Sequence, residues 1–353
     1  MNRADSKAIQ QPRVSVVIPA YNAVRYLREA LESVLNQTYS PIEVVLVNDG
    51  STDATAEAVA PFLSRIRYHV QANAGLAAAR NAGLKIATGD YVALMDADDI
   101  ADPDRVRWQV AVMEQWPELV LCSSDFSAYD GGRVTVPAYA QTYYRSLQNV
   151  QGDLAALYSS HHELSAPSVH GASRSETTTV YAGHVHENLL WGNFIHPPTV
   201  MFRRTALEAV GGFDERIVNG CDYDWFVRLS RTGPFGFIDR PLLNYRLSPN
   251  QMSSDKHVAT IMLDTIEIMK KVVDAEPHLA ERHRDRLRQR VGQCYLSAAN
   301  ATVESDKRRA FGFLLASLKQ GFFRLSMLLV TGKLLLPRWL LALKRSAQRK
   351  FDK

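Results

Sequence analysis

The sequence predicts an α/β domain with a mostly parallel sheet, followed by a C-terminal stretch of helices. Three observations predict it. Short β-branched runs alternate with helix-spaced apolar residues over the first 125 positions. That alternation breaks down between about Arg133 and Leu190 and returns over residues 191–254. From about Asp255 onward only helical spacing remains. A chain of 353 residues, 46% hydrophobic and 22% charged, can fill one large domain and a smaller one.

The elements follow in order. Met1 to Arg13 is a polar arm of mixed charge without the apolar core of a secretory signal. Val14–Ile18 reads as a buried strand. Val24, Leu27, Leu31, Val34 and Leu35 then recur at helical spacing. Ile42–Val47 is a second strand, and Asp53–Phe62 a helix. Ile66–Val70 is a third strand, followed by an Ala-rich helix over Gly75–Ala87. Tyr91–Met95 is a fourth strand, Pro103 starts a helix, and Leu119–Cys122 is a fifth strand. Residues 133–190, rich in Tyr, Ser, His and Thr, read as an irregular insertion of loops and short helices. Pro198–Phe202 returns to strand, with helices at Arg204–Val210 and Tyr223–Ser230. Phe235–Ile238 and Leu242–Leu247 read as two short strands. His257–Ala301 reads as a packed helical hairpin.

Ligands of such sheets sit at the carboxyl ends of the strands. Asn48-Asp49-Gly50-Ser51 follows the second strand and Asp96-Ala97-Asp98-Asp99 the fourth. Both acidic groups therefore fall at one rim. Asp96 and Asp98, two residues apart after a buried strand, can share a divalent cation, Mg²⁺ or Mn²⁺, with substrate phosphates. The alternative is a solvated acidic turn ahead of the next helix. Asp49 through Asp53 reads either as a helix cap or as a carboxylate facing a nucleobase or ribose. The pairs His161-His162-Glu163 and His184-x-His186-Glu187 lack the matching spacing of a metal site. Trp191 and the tyrosines at 139, 143, 144 and 181 are candidates for stacking on sugar faces.

Four ordered motifs make the pattern specific. Val14 to Asn22 reads VSVVIPAYN and leads into Ser33 to Tyr39. Val47 to Asp53 reads VNDGSTD, Asn73 to Asn81 reads NAGLAAARN, and Gly89-Asp90-Tyr91 runs into Asp96-Ala97-Asp98-Asp99. Together they resemble the family 2 inverting glycosyltransferases. Thr199–Arg203, Gly211 to Glu215 and Asp222 to Trp225 continue the resemblance. It implies the GT-A fold, a Rossmann-like nucleotide-binding half at 14–125 joined to an acceptor half at 191–254. It also implies a nucleotide-sugar donor, with uridine diphosphate as the expected nucleotide, and a glycan or lipid-linked acceptor in polysaccharide or glycolipid assembly. By resemblance, Pro19, Tyr21 and Asp49 line the base pocket, Arg80 approaches the diphosphate and Asp96 contacts the ribose. Asp98 would bind the metal and Asp222 would be the catalytic base. His196-Pro197-Pro198-Thr199 falls where the family places residues near donor and acceptor; a rigid loop before a strand is the other reading.

Two departures stand out. Cys221 precedes Asp222 where the family usually has Glu, and Tyr245-Arg246 is followed by Leu247-Ser248 where a histidine is frequent. Asp224 is an alternative base; on a helix it lies about 200° around from Asp222, so the two do not share a face. A nucleotidyltransferase would carry a Gly-rich basic loop after the first strand, where this chain has Pro19-Ala20-Tyr21-Asn22. An inactive sugar-nucleotide-binding or scaffold protein is the remaining alternative.

Charge is unevenly distributed. Residues 307–353 hold twelve Lys/Arg and one acid, about +11, against a chain total of +4; the remainder is about −7. An acidic body argues against nucleic acid as the partner. The basic, apolar tail reads as peripheral to an anionic membrane surface, on its cytoplasmic face. Leu334-Leu335-Leu336 and Trp339-Leu340-Leu341 are its apolar centres, and no apolar stretch reaches the roughly 20 residues a bilayer span needs. The alternative is a helix packed on the preceding domain. Cys122, Cys221 and Cys294 form no C-x-x-C pair, which fits a reducing compartment.

Overall fold

The computed structural model describes residues 11–166, 176–248 and 255–336. Most of the N-terminal arm, and the Arg338 and Trp339-Leu340-Leu341 part of the tail, lie outside them. The chain divides into two compact units. One comprises residues up to 216 with 221–248, and the other 217–220 with the residues from 249.

The first unit is built on one sheet. Its strands are β1 (Val14–Ala20), β2 (Ile42–Asp49), β3 (Arg67–Gln71), β4 (Tyr91–Leu94), β5 (Ile100–Ala101), β6 (Leu121–Asp130), β7 (Arg133–Val136), β8 (Ser160–Ala166), β9 (Glu176–Gly183), β10 (Met201–Arg203) and β11 (Phe235–Arg246). The order is β3-β2-β1-β4-β10-β6-β11-β9-β8, with β5 against β11 and β7 against β6. Neighbours from β3 to β4 run parallel, as do β6 and β11. Strand β10 enters antiparallel between β4 and β6.

The parallel core strands are the ones the sequence marks most clearly. β1 is buried at every position, and Val44 to Asp49 of β2 likewise. Strands covered on both faces read as continuous apolar runs for this reason. The Ala-rich helix Leu76–Ile86 packs closely on them. A Cβ at Gly83 would lie 2.4 Å from Val17 Cγ1, so this contact needs glycine.

Three expectations change. The stretch 133–190 is more ordered than its composition suggests: its described residues carry β7, four short helices and the antiparallel pair β8–β9. In β9 only alternate residues such as Thr178, Val180 and Ala182 are buried, so the strand has no apolar run to betray it. The two short strands near 235–247 are one strand, β11, whose register shifts around Pro241. Proline has no N–H for the ladder, and a bulge accommodates it. The helix expected at Tyr223 starts at Cys221, which puts Asp222 and Asp224 in its first turn.

The second unit is helical: Val258–Ala275, Pro277–Arg282, Arg284–Thr302, Lys307–Lys319 and Ser326–Leu335. Asp264 accepts hydrogen bonds from the Asn219 and Gly220 amides (2.7 and 3.1 Å) and ties the 217–220 segment to its first helix. Asp306 caps the helix at Lys307 through the Arg309 amide (3.0 Å). The last three helices share a core that includes Leu296, Val303, Leu314, Phe322, Met327 and Val330.

Candidate active site

The carboxyl ends of β1, β2 and β4 fall at one rim because these strands are parallel neighbours. Ala20 at the end of β1 lies opposite Asn48 of β2, and the Met95 amide donates to Val17 O (3.1 Å). Pro19 is buried at the penultimate position of β1, whereas Tyr21, just beyond the strand, is 53% exposed. Asn22 adopts φ 50° and accepts from the Thr52 amide (2.8 Å), and its own amide donates to Ser51 Oγ (2.9 Å). The Val24 amide reaches Asp53 (3.2 Å). The loops after β1 and β2 are thereby laced together.

Asp49 is turned inward. Its carboxylate accepts from Gln71 Nε2 (2.8 Å) and from the Ala74 and Gly75 amides (2.9 and 2.8 Å). These amides precede the helix Leu76–Ile86, and an anion at a helix N-terminus is favoured there. Gly50 makes the approach possible: with φ +68°, a Cβ would sit 2.6 Å from the Asn73 nitrogen. Asp49 thus fixes the start of the helix, and one turn later the helix delivers Arg80.

Arg80 is 2% exposed. Its Nη2 meets Asp96 Oδ1 at 3.2 Å, and its guanidinium lies 5.4 Å from the centre of the Phe213 ring. Burial opposes its charge, and Asp96, Cys221 and Asp222 together hold its pKa raised. Nε and Nη1 are buried and lack a hydrogen-bond partner. Orphan donors of this kind cost stability unless something arrives to accept from them.

Asp98 and Asp99 complete the acidic loop. Burial, then the neighbouring Asp96, pushes Asp98 up to about 6. Asp99 is raised well above the usual carboxylate range by burial, then by Asp98 and Asp96. Arg246 grips the loop: its amide donates to Asp99 Oδ1 (2.9 Å), its Nε to the Asp98 carbonyl (2.8 Å), and its Nη2 reaches Glu29 (2.8 Å). Sequence reasoning missed this role. The only signal was the Tyr-Arg pair, and Arg246 lies 148 residues from the loop it holds.

Asp222 lies within electrostatic reach of Arg80 and Asp96, in the first turn of the helix Cys221–Leu229. Burial raises its pKa, and Arg80 opposes the rise. Asp224 faces elsewhere: Arg228 Nε pairs with it at 2.9 Å while that guanidinium also donates to the carbonyls of Val210 and Gly212 (2.6 and 2.7 Å). Cys221 is buried beside Arg80, and burial pushes its thiol up to about 12. All three cysteines are free and buried.

An aromatic wall adjoins these acids. His196 stacks on Phe126 (4.0 Å between centres), and its Nδ1 meets Tyr144 Oη at 3.0 Å. Tyr139, Tyr143 and Tyr245 surround Phe126 edge-on. Burial lowers His196 to about 3, so the ring is neutral, and Nε2 has no hydrogen-bond partner. Tyr144 feels the charges of Asp222 and Asp96, which places the wall at the same site. Tyr181 is on β9, beside His161. His186 bonds Ser230 (2.8 Å), and Glu163 accepts from Thr179 (2.8 Å). Among the described residues no three His, Cys, Asp or Glu gather as a metal cage.

Residues 15–164 match the family model described as Glycosyl transferase family 2. The hyaluronan synthase of Pasteurella multocida is 31% identical over 255 residues, 71% of this chain and 22% of that protein. The chondroitin synthase of P. multocida (strain Pm70) is 31% identical over 243 residues, 68% and 21% of the two chains. This chain therefore spans about a fifth of either synthase. An uncharacterized glycosyltransferase of Rickettsia prowazekii is 27% identical and covered over 67% of its length. Among solved structures, S. aureus TarS 1–349 aligns with a TM-score of 0.56 at 19% identity, over 87% of this chain and 79% of that one. The mannosyltransferase PcManGT of Pyrobaculum calidifontis, solved with GDP-Man and Mn²⁺, aligns at 0.53 and 18%, over 92% and 85%. The fold is thus GT-A.

Proposed function

The chain belongs to glycosyl transferase family 2 through its residues 15–164, and from that premise we propose that it moves a sugar from a UDP-sugar to a hydroxyl of a glycan or lipid-linked acceptor, with inversion at the anomeric carbon. One observation carries the reading: two buried nitrogens of Arg80, Nε and Nη1, lack a hydrogen-bond partner, and its charge is felt by both Asp96 and Asp222. A diphosphate supplies the acceptors those donors lack, and bonds to a charged partner are strong ones.

The chemistry follows from the neighbours. Asp222 takes the proton of the attacking hydroxyl as its oxygen bonds to the anomeric carbon. The bond to the diphosphate oxygen breaks, and the nucleoside diphosphate leaves with the electron pair. General-base help of this kind contributes about 10²–10⁴-fold. Its raised pKa makes Asp222 a better proton acceptor than an exposed carboxylate. Asp224 is committed to Arg228, which supports Asp222 as the base. Half-buried Tyr139, Tyr143 and Tyr144 offer ring faces and edges to an acceptor sugar.

The acidic loop suits a divalent cation. Hard oxygen donors match Mg²⁺ or Mn²⁺, which typically take one or two carboxylates and complete their shell with phosphate oxygens and water. Asp98, whose raised carboxyl a cation would bring down, and Asp96 would hold it. When bound, such an ion neutralises the charge growing on the leaving diphosphate.

The test is a donor screen with the full chain and Mn²⁺ or Mg²⁺, reading nucleoside diphosphate release with and without oligosaccharide acceptors. Release from a UDP-sugar that rises with acceptor is expected. Donor binding without turnover across the panel would identify a binding protein instead.

A further inference from the structure

The last two described helices each have a second apolar face that is exposed among the described residues. Leu314 and Ala310 of the helix Lys307–Lys319 face the shared core, as do Met327 and Val330 of the helix Ser326–Leu335. That accounts for one stripe on each. On the other side Phe311, Leu315 and Leu318 recur at helical spacing and are 52%, 43% and 37% exposed. Phe323 in the connecting turn, then Leu325, Leu328 and Leu329, are between 67% and 82% exposed. A soluble helix would place polar residues there.

Charge identifies what fits this face. Residues 307–336 contain six Lys/Arg and no acid. Arg308, Arg309, Lys319 and Arg324 are exposed beside the apolar stripe. A second copy of the same surface would set these cations against themselves. An anionic bilayer offers acyl chains to the leucines and phosphate groups to the bases. Among the described residues no helix is long and apolar enough to cross a membrane. The face therefore suits a helix pair lying in the headgroup region, its apolar side down. In the sequence beyond residue 336, further bases follow at Arg338, Lys344, Arg345, Arg349 and Lys350.

We propose that the helix pair 307–335 is a monotopic docking surface for anionic lipid bilayers, with Phe323, Leu325, Leu328 and Leu329 as its inserted centre and the flanking Lys/Arg as its headgroup contacts. The test is flotation of the full chain with phosphatidylcholine vesicles, with and without phosphatidylglycerol. The wild type should float at least tenfold more with the anionic vesicles. Leu325→Glu/Leu328→Glu should lose that binding tenfold or more, and Arg308→Gln/Arg309→Gln/Arg324→Gln should lose the preference for phosphatidylglycerol. An environment-sensitive dye on Leu328→Cys should shift to the blue only with anionic vesicles; this readout stands even if the double Glu variant misfolds. No flotation of the wild type, or wild-type flotation of the folded Leu variants, would overturn the proposal. So would a wild-type dimer, insensitive to vesicles, that the Leu variants convert to monomers.

Discussion

At the rim of the sheet, charged groups are buried; on the C-terminal helix pair, large apolar groups are exposed. Arg80, Asp99 and Arg105 are 1–2% exposed, while Leu325 is 82% exposed. Both regions reverse the usual partition of side chains. The reversals differ in cost. A buried ion or orphan donor penalises the folded state by roughly 1–3 kcal/mol or more, whereas an exposed leucine only forgoes a gain. Real proteins break such rules mainly where function demands it. The rim is therefore expected to respond sharply to substitution and the helix face hardly at all, unless a ligand is present.

The sharpest way to break this contrast is Asp222→Asn. Turnover should fall about 100-fold or more while donor binding is kept, read by diphosphate release beside calorimetric titration. Its neighbour Asp224 should behave oppositely. Asp224→Asn should retain kcat per folded molecule and cost about 1–3 kcal/mol of stability, because the Arg228 charge loses its buried partner; denaturant unfolding checks this. Two aspartates one turn apart at most would thus report on different things.

Arg80→Gln comes next. It keeps some hydrogen-bonding capacity but no charge, and the Kd for nucleoside diphosphate should rise about 10- to 100-fold, the worth of a charge-assisted bond. A smaller effect comes from pH. Asp98 must lose its proton to ligate a cation, and its pKa is raised to about 6. Metal affinity should be full above that pH and fall up to about tenfold per unit below it, and Asp98→Asn should flatten the curve. The smallest effect sharpens the comparison from the other side: Leu328→Ser in the absence of vesicles should change stability by no more than about 0.5 kcal/mol.

The legibility of the two regions also differs. The parallel strands β1, β2 and β4 each carry a buried, mostly apolar run, so their positions and their shared rim could be read from the chain. With the rim came Asp49, Asp96 and Asp98. What could not be read was side-chain commitment. Asp49 reads as a ligand residue, and the chain alone does not show that its carboxylate also accepts from the Ala74 and Gly75 amides. Arg246 looks incidental, yet it clamps the acidic loop from 148 residues away. Asp222 and Asp224 could be told apart only by the Arg228 ion pair. The hairpin β8–β9 escaped because SHHELSA and ETTTVYAG are largely polar where an apolar run would mark a strand. Periodicity reports burial of a face; it does not report which partner a buried charge has found.

The central claim is that Arg80, the Asp96–Asp98 loop and Asp222 form a single donor-and-acceptor site. A crystal structure of the full chain with UDP and Mn²⁺ tests it most directly. Diphosphate oxygens are expected within hydrogen-bond distance of Arg80 Nε or Nη1, with the ion on Asp98 and an open path from the β-phosphate side to Asp222. Nucleotide bound at another surface, with Arg80 still unpartnered, would contradict it.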